Sequence, residues 1–557
     1  MEAMAVMERC GRNKNDEMHL TLPESRTLET KREKQKTRLK CRSAANLHRK
    51  GENMYQMTTD YLDASAARFP DKLAFNDDKT SLTFGELQTQ AKSIASCLTG
   101  KGFFRQPVAV FMDKSTGCIP AMMGIVYSGC FYTVLDVHMP AARIQIILNT
   151  LQPAAILTDQ AHAEEAAALI GADRVIQTED AGKTPVDEEA LARVHDQITW
   201  ADTLYVLFTS GSTGVPKGVT ISHGANIHYL EWLAADFKID ETTVFANQTP
   251  FYFVMSGLDI YMTMYAGATC HIIPSWAYSF PVMLLNWLNQ HKVNTLYWVP
   301  SILCLVANFR ALPEVHIENL RMVIFGGEVM PSKQLNMWRK EYPDTVFGNL
   351  YGPTEMTDVV AYYIIDRPLD DKESLPIGKA CSHMRLMILD ENGKEVAPGE
   401  VGELCGSGPS LADGYYHAPE KTAEVFVTNP LYQEGEPDCF RRMYKTGDLV
   451  RIDERGDLIY MGRKDFQIKH MGNRIELGEI ETAVSAVDGV ERNCCLYDQK
   501  HSRIVLFYTG KAEENELLDK VAQAVPEYMV PNDVRHLDAM PLNLNGKIDR
   551  SLLKQEI

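Results

Sequence analysis

The run Leu207-Phe208-Thr209-Ser210-Gly211-Ser212-Thr213-Gly214-Val215-Pro216-Lys217-Gly218-Val219 constrains this chain more than any other stretch. It is crowded with Ser, Thr and Gly, and Lys217 closes it. Leu204 to Phe208 leads in as a short apolar strand. The loop that follows offers backbone N–H groups, hydroxyl donors and one cation. Its glycines let the backbone approach a ligand closely. That inventory suits a polyphosphate. A flexible linker would need neither the preceding strand nor the Pro216-Lys217-Gly218 ending. The run is not a Walker A loop, because Gly218 follows Lys217 where Ser or Thr would stand.

Length and composition bound the rest. A chain of 557 residues exceeds the usual size of one core, so two or more domains are expected. The net charge of −18 argues against general nucleic-acid binding. No apolar run reaches the roughly 18 residues that span a bilayer. The start is charged where a secretory signal needs an apolar core. Twelve cysteines are scattered without a Cys-x-x-Cys pair, and Cys494-Cys495 sits in an apolar strand. Reduced thiols in a cytoplasmic protein, with neither nucleic acid nor membrane as partner, are the expectation.

Residues 1–54 read as a disordered basic extension, with Lys31 to Lys50 strongly basic. From Thr58 short apolar strands alternate with amphipathic helices, which predicts an α/β layered architecture. Strands ending at Phe251, Ser301 and Glu328 would share one crevice beyond their carboxyl ends. Phe347 to Thr357 is interrupted by Gly and Pro and is predicted as a loop. It holds an aromatic ring, an amide, hydroxyls and one carboxylate, a set that suits a nucleotide with a magnesium ion. Residues 466–557 read as a small α+β unit, with a Gly-containing turn at Gly472 feeding a helix.

In this order and spacing the motifs resemble the adenylate-forming superfamily: nonribosomal peptide synthetase adenylation domains, acyl-CoA synthetases and luciferases. The resemblance covers about residues 55–557. It implies an α/β fold: a large multi-layer N-terminal domain of sheets and helices, 55–464, and a small mobile α+β C-terminal domain, 465–557. It also implies the ligands, ATP and Mg²⁺. Thr209, Ser210, Gly211, Ser212, Thr213, Gly214 and Lys217 would hold the phosphates, with Gly327 beside them. Asn349 would line the base pocket, Tyr351 and Gly352 would face adenine, Thr354 would touch the α-phosphate, and Glu355 would hold the metal. Asp448 would bind the ribose with help from Arg463. Asp465 resembles a hinge, and Gly472 would line a thiol tunnel. Lys547, in the turn Asn545-Gly546-Lys547, would be catalytic together with Thr209 and Lys217.

The matching substrate pocket is Phe253, Val254, Met255, Leu258, Trp298, Ile324, Gly326, Leu350, Asp358 and Val359. Relatives that activate amino acids carry Asp, as a clamp for the α-amine, where this chain has Val254. An ammonium facing Val would lack a charge partner. Either the substrate has no α-amine, or its amine lies further off and meets Asp358. A one-residue shift of register would instead bring Asp259 towards the amine. The chain ends ten residues after Lys547, so a free-standing enzyme is expected. It is similar to stand-alone amino-acid-to-carrier ligases such as the D-alanine–carrier ligases. The implied activity is ATP-dependent formation of an acyl-adenylate from a small carboxylic or amino acid, then transfer to the phosphopantetheine thiol of a separate carrier protein. An acyl-CoA ligase using free coenzyme A is the alternative, and a non-catalytic nucleotide-binding protein is the remote one.

Overall fold

The computed structural model describes residues 57–211, 215–542 and 548–557. The expectations for residues 1–54, Ser212, Thr213, Gly214 and Lys547 lie outside the described residues. The larger body contains a pair of mainly parallel sheets that face each other across buried helices. The seven-stranded sheet has Thr203–Thr209 next to Phe131–Leu135 and Lys217–Ser222. The nine-stranded sheet places Val244–Asn247, Thr295–Trp298, Met322–Gly326 and Val346–Tyr351 side by side.

Parallel strands covered on both faces read as continuous apolar runs, and Pro107–Phe111 and Phe131–Leu135 are buried at every position. Between the sheets the helix Cys118–Tyr127 is buried all round, as a helix without a polar face must be. It shares one core with Phe84–Gly100, His223–Phe237 and Ser256–Ala266. Thr83 and Glu86 close a capping box at the start of Phe84–Gly100: the Thr83 hydroxyl accepts from the Glu86 N–H at 3.2 Å. Helices Pro281–Gln290, Pro300–Asn308 and Ser332–Glu341 cover the outer face of the larger sheet. Ala141–Leu151 and Ala163–Ile170 cover that of the smaller one.

The segment predicted as a loop from Phe347 is a strand as far as Tyr351. Glycine and polar residues do not break it, because both neighbouring strands pair with it. Gly348, Asn349 and Leu350 align with Met322–Gly326 on one side and with Ala361–Ile364 on the other. The segment Tyr444 to Leu449 around Asp448 is strand as well, within Arg442–Ile452, where the pairing register slips between Glu403 and Cys405. Gly447 in that slip has φ +74°, and an added Cβ would lie 2.7 Å from Arg463 Nη2.

The small C-terminal unit packs its own cores. A hairpin of Gln467–His470 and Asn473–Glu476 leads into the helix Leu477–Ser485 and a three-stranded sheet of Val490–Asp498, Arg503–Gly510 and Asp533–His536. Alternation along Val490–Asp498 sends Cys495 into the core under the helices and Cys494 into the opposite one with Phe507 and Leu553. Both thiols are free, because adjacent strand positions point to opposite faces.

Candidate active site

The phosphate-loop strand, the ends of the larger sheet and the small unit meet in one cleft. Its walls include Thr209, Ser210, Phe253, Val254, Met255, Tyr297, Gly327, Leu350, Gly352, Thr354, Asp358, Asp448, Arg463 and Gly472. Residues distant in sequence and singled out from it therefore come together.

Five residues expected on the pocket wall stand behind it. Leu258, Trp298, Ile324, Gly326 and Val359 do not line the cleft. The strand Thr295–Trp298 turns alternate side chains to opposite faces. Tyr297 therefore faces the cleft, and Trp298 packs under the outer helices with Nε1 donating to the Ala246 carbonyl at 2.9 Å. Ile324 and Leu258 are fully buried in the core between the sheets, and a Cβ on Gly326 would meet the Leu350 carbonyl at 2.7 Å. Asp259 is walled off as well: fully buried, it accepts from Asn247 Nδ2 at 2.8 Å. Burial pushes its carboxyl up to about 8.

Where the sequence leads one to expect the nucleotide, Asp448 accepts from Arg463 Nη1 at 2.7 Å and from the Tyr351 hydroxyl. Arg463 also grips Asp465 through Nε and Nη2, at 2.7 and 2.8 Å. The Tyr351 ring is covered by Lys469, whose Nζ lies 5.6 Å from the ring centre. Asn349 donates to the Pro376 carbonyl at 2.8 Å. Neither Asn349 nor Tyr351 lines the cleft in this arrangement. Lys217 lies over the Tyr415 ring at 5.3 Å, and burial lowers its ammonium pKa.

Glu355 is fully buried and heavily solvated by protein. Tyr415 donates to its Oε1 at 2.8 Å, and Arg474 Nη1 donates to both oxygens at 2.9 and 2.8 Å. Burial alone would raise this carboxyl; the Arg474 charge and the Tyr415 bond more than offset it and hold it below the usual range. One carboxylate completed by phosphate oxygens is the donor set magnesium ordinarily takes. No cluster of three metal-ligating side chains exists among the described residues. Arg474 Nη1 bonds both Glu355 oxygens here, so Arg474 competes with such an ion for the carboxylate.

Arg474 belongs to the small unit's hairpin, which reaches the cleft at several points. Ser210 Oγ donates to the Arg474 carbonyl at 2.7 Å. The Gly472 N–H donates to Glu328 Oε1 at 2.8 Å, and Glu328 Oε2 accepts from the Ser301 N–H at 3.0 Å. Arg143 and Glu479 form a buried ion pair between the large body and the small unit. Glu328, Arg474, Arg143, Lys469 and Tyr297 are not among the site residues predicted from sequence. Their sequence signals, an acid after Gly326-Gly327 and a cation inside the Gly472 turn, are too common to act on alone.

Gly472 has φ +79°, and an added Cβ would lie 2.8 Å from Val299 Cγ1. Gly472→Leu is therefore expected to keep the hairpin out of the cleft. Adenylate formation, read by pyrophosphate exchange, should stay within about threefold of wild type. Thioester formation should fall by roughly a hundredfold or more, consistent with overpacking and backbone strain of a few kcal/mol. Equal losses in both assays would remove Gly472 from the second step.

The α/β body, met at its cleft by a small unit that inserts a hairpin, is the architecture in which residues singled out from the sequence are gathered. The chain belongs to the AMP-binding enzyme family: that family's model matches residues 62–416, and the model of the AMP-binding enzyme C-terminal domain matches residues 479–547. It is a ligase of this family. It is 35% identical over 500 residues to an L-proline–[L-prolyl-carrier protein] ligase of Streptomyces coelicolor, covering 84% of this chain and 91% of that protein. The protein of the same name from Pseudomonas fluorescens is 31% identical over 505 residues, covering 88% of this chain and 98% of that one. Among solved structures, the Vibrio cholerae adenylation domain AlmE, in complex with glycyl-adenosine-5′-phosphate, has TM-score 0.77 at 22% identity, covering 92% of this chain and 99% of that chain. PA1221, which contains adenylation and carrier domains, has TM-score 0.74 at 23% identity, covering 90% of this chain and 84% of that chain. These likenesses to solved structures support the fold.

Proposed function

We propose that this ligase activates a small carboxylic or amino acid with ATP and passes it to the phosphopantetheine thiol of a separate carrier protein. The observation that carries this reading is the hairpin at Gly472, seated on Val299 and Glu328 beside the phosphate loop. A unit that lines the cleft from that side is placed to guide an incoming thiol. The carrier-protein ligases to which the chain is similar over nearly their whole length support the same choice of acceptor.

In the first step a carboxylate oxygen attacks the α-phosphorus of ATP, and pyrophosphate leaves. Two anions must meet, so neutralising charge is the main task. Thr209, Ser210, Gly211, Ser212, Thr213, Gly214 and Lys217 would cradle the phosphates with Gly327 nearby, and Thr354 would touch the α-phosphate. Lys547 would bridge carboxylate and α-phosphate. Tyr351, Gly352 and Asn349 would receive adenine once Lys469 moves off the Tyr351 ring, and Asp448 with Arg463 would hold the ribose. Glu355 would hold magnesium, which supplies positive charge next to the departing pyrophosphate. In the second step the thiol attacks the adenylate carbonyl and AMP leaves. The segments 55–464 and 465–557 would re-dock by rotation at Asp465 between the steps. The grip of Arg463 on Asp465 would then tie hinge position to ribose position.

The test is exchange of labelled pyrophosphate into ATP across a library of acids, followed by transfer of the activated acid. The expected result is acid-dependent exchange and loading of a phosphopantetheinylated carrier in preference to coenzyme A. Exchange with loading of coenzyme A alone would overturn the carrier assignment, and absence of exchange with every acid would overturn the activity.

A further inference from the structure

The apolar end of the cleft contains one carboxylate whose partners do not match its charge. Asp358 is 4% exposed. Tyr229 and Tyr297 both donate to its Oδ2, at 2.8 and 3.0 Å. No hydrogen bond to Oδ1 is formed among the described residues, and the one cation that acts on the carboxylate, Lys469 on the same cleft wall, does so from beyond ion-pair distance. Two neutral hydroxyls on one oxygen leave a buried anion half satisfied, which folding tolerates poorly unless a cation completes it.

The backbone is strained to put it there. Thr357 and Asp358 sit consecutively at φ +55° and +73°. A β-branched residue is a rare occupant of the left-handed region, and such strain persists where the surroundings over-determine it. Here the Thr357 hydroxyl is tied to the Ser410 carbonyl at 2.6 Å, and the Val360 N–H is tied to the Tyr351 carbonyl at 2.8 Å. Asp358 is thereby turned into the cleft, opposite the walls formed by Val254, Met255 and Leu350.

The other candidate for a cation partner is excluded by position. Asp259 bonds Asn247 and feels the half-buried Lys114, and it does not line the cleft. Val254 lines the cleft but offers no charge. The reacting carboxylate must lie by Thr209 and Thr354, at the phosphate end of the same cleft.

We propose, resting on the ligase reading above, that the substrate is an amino acid whose ammonium group is borne on a carbon beyond the α-carbon, with Asp358 as its ion-pair partner. Tyr229 and Tyr297 hold the carboxylate so that Oδ1 is presented to the ammonium. Val254 leaves the neighbourhood of the α-carbon without an anion, so an α-ammonium there stays desolvated and unpaired.

The experiment is pyrophosphate exchange with matched acids: alanine, β-alanine, γ-aminobutyrate, 3-aminobenzoate, propionate, 3-hydroxypropionate and benzoate. A β-, γ- or ring-amino acid is expected to give the highest kcat/KM, well above its amine-free and hydroxy counterparts. Asp358→Asn, which keeps the side-chain shape and can still accept from both tyrosines, should lower that kcat/KM by about a hundredfold. The ratio of kcat/KM on the amine-bearing acid to that on its amine-free counterpart should fall by a similar factor, and an unchanged thermal unfolding midpoint shows that the variant is folded. Val254→Asp should move preference towards alanine by roughly tenfold or more. Best activity on an α-amino or an amine-free acid, or an equal loss on all acids in Asp358→Asn, overturns the proposal while leaving the ligase reading intact. Absence of exchange with every acid overturns both.

Discussion

Lys547→Ala should lower adenylate formation by about 10²–10³-fold, the usual cost of removing one positioned charge from a transition state that gathers negative charge. The reasoning is electrostatic. The attacking carboxylate and the α-phosphate are both anionic, and the arginines described around the cleft are already paired with carboxylates. Arg463 is held by Asp448 and Asp465, Arg474 by Glu355 and Arg143 by Glu479. Lys217 lies against Tyr415 and Lys469 against Tyr351. Thioester formation from a preformed acyl-adenylate should stay within about threefold of wild type, because the carboxylate is then already esterified. Pyrophosphate exchange and single-turnover thioester formation measure the two steps separately. Parallel loss in both would withdraw the role and indicate a folding defect.

Arg474→Ala should have the opposite profile. In the docked arrangement it removes a guanidinium from a fully buried carboxylate, Glu355. Breaking one partner of a buried pair typically costs about 3–5 kcal/mol, because the other charge is left stranded. Only the orientation that makes this contact is penalised. Thioester formation should therefore drop by roughly two to three orders of magnitude while pyrophosphate exchange is retained. Exchange should also saturate at lower magnesium concentration, since a competitor for the Glu355 oxygens is gone. Arg474→Lys should recover some of the loss, with a single charge at that point. Unchanged thioester formation, or an unchanged magnesium requirement, would show that Arg474 and the metal do not contend for Glu355.

Much of the site is legible without coordinates. The run at Thr209 announces itself by composition alone, and a strand feeding it is what apolar Leu204 to Phe208 dictates. The family resemblance pairs Asp448 with Arg463, and they hydrogen-bond at 2.7 Å. The resemblance assigns Val254 and Asp358 to the substrate pocket, and both line the cleft. The error in secondary structure has a plain cause. Phe347 to Tyr351 reads as a break because Gly and the following Pro are local signals, whereas pairing with neighbouring strands decides whether such a segment extends.

Local chemistry is thus what the chain declares by itself: which loop can cradle phosphate, where strands and helices alternate, which carboxylates stand in the motifs. These depend on residue type and short-range period, which a linear string contains. Tertiary structure decided the rest. Whether Tyr297 or Trp298 meets the ligand depends on the strand's rotation against its neighbours. Glu355 is joined to Arg474 across 119 residues, Glu328 to Gly472 across 144 and Arg143 to Glu479 across 336. Each of those contacts exists only because separately packed bodies dock in one orientation, and no local pattern encodes their relative placement.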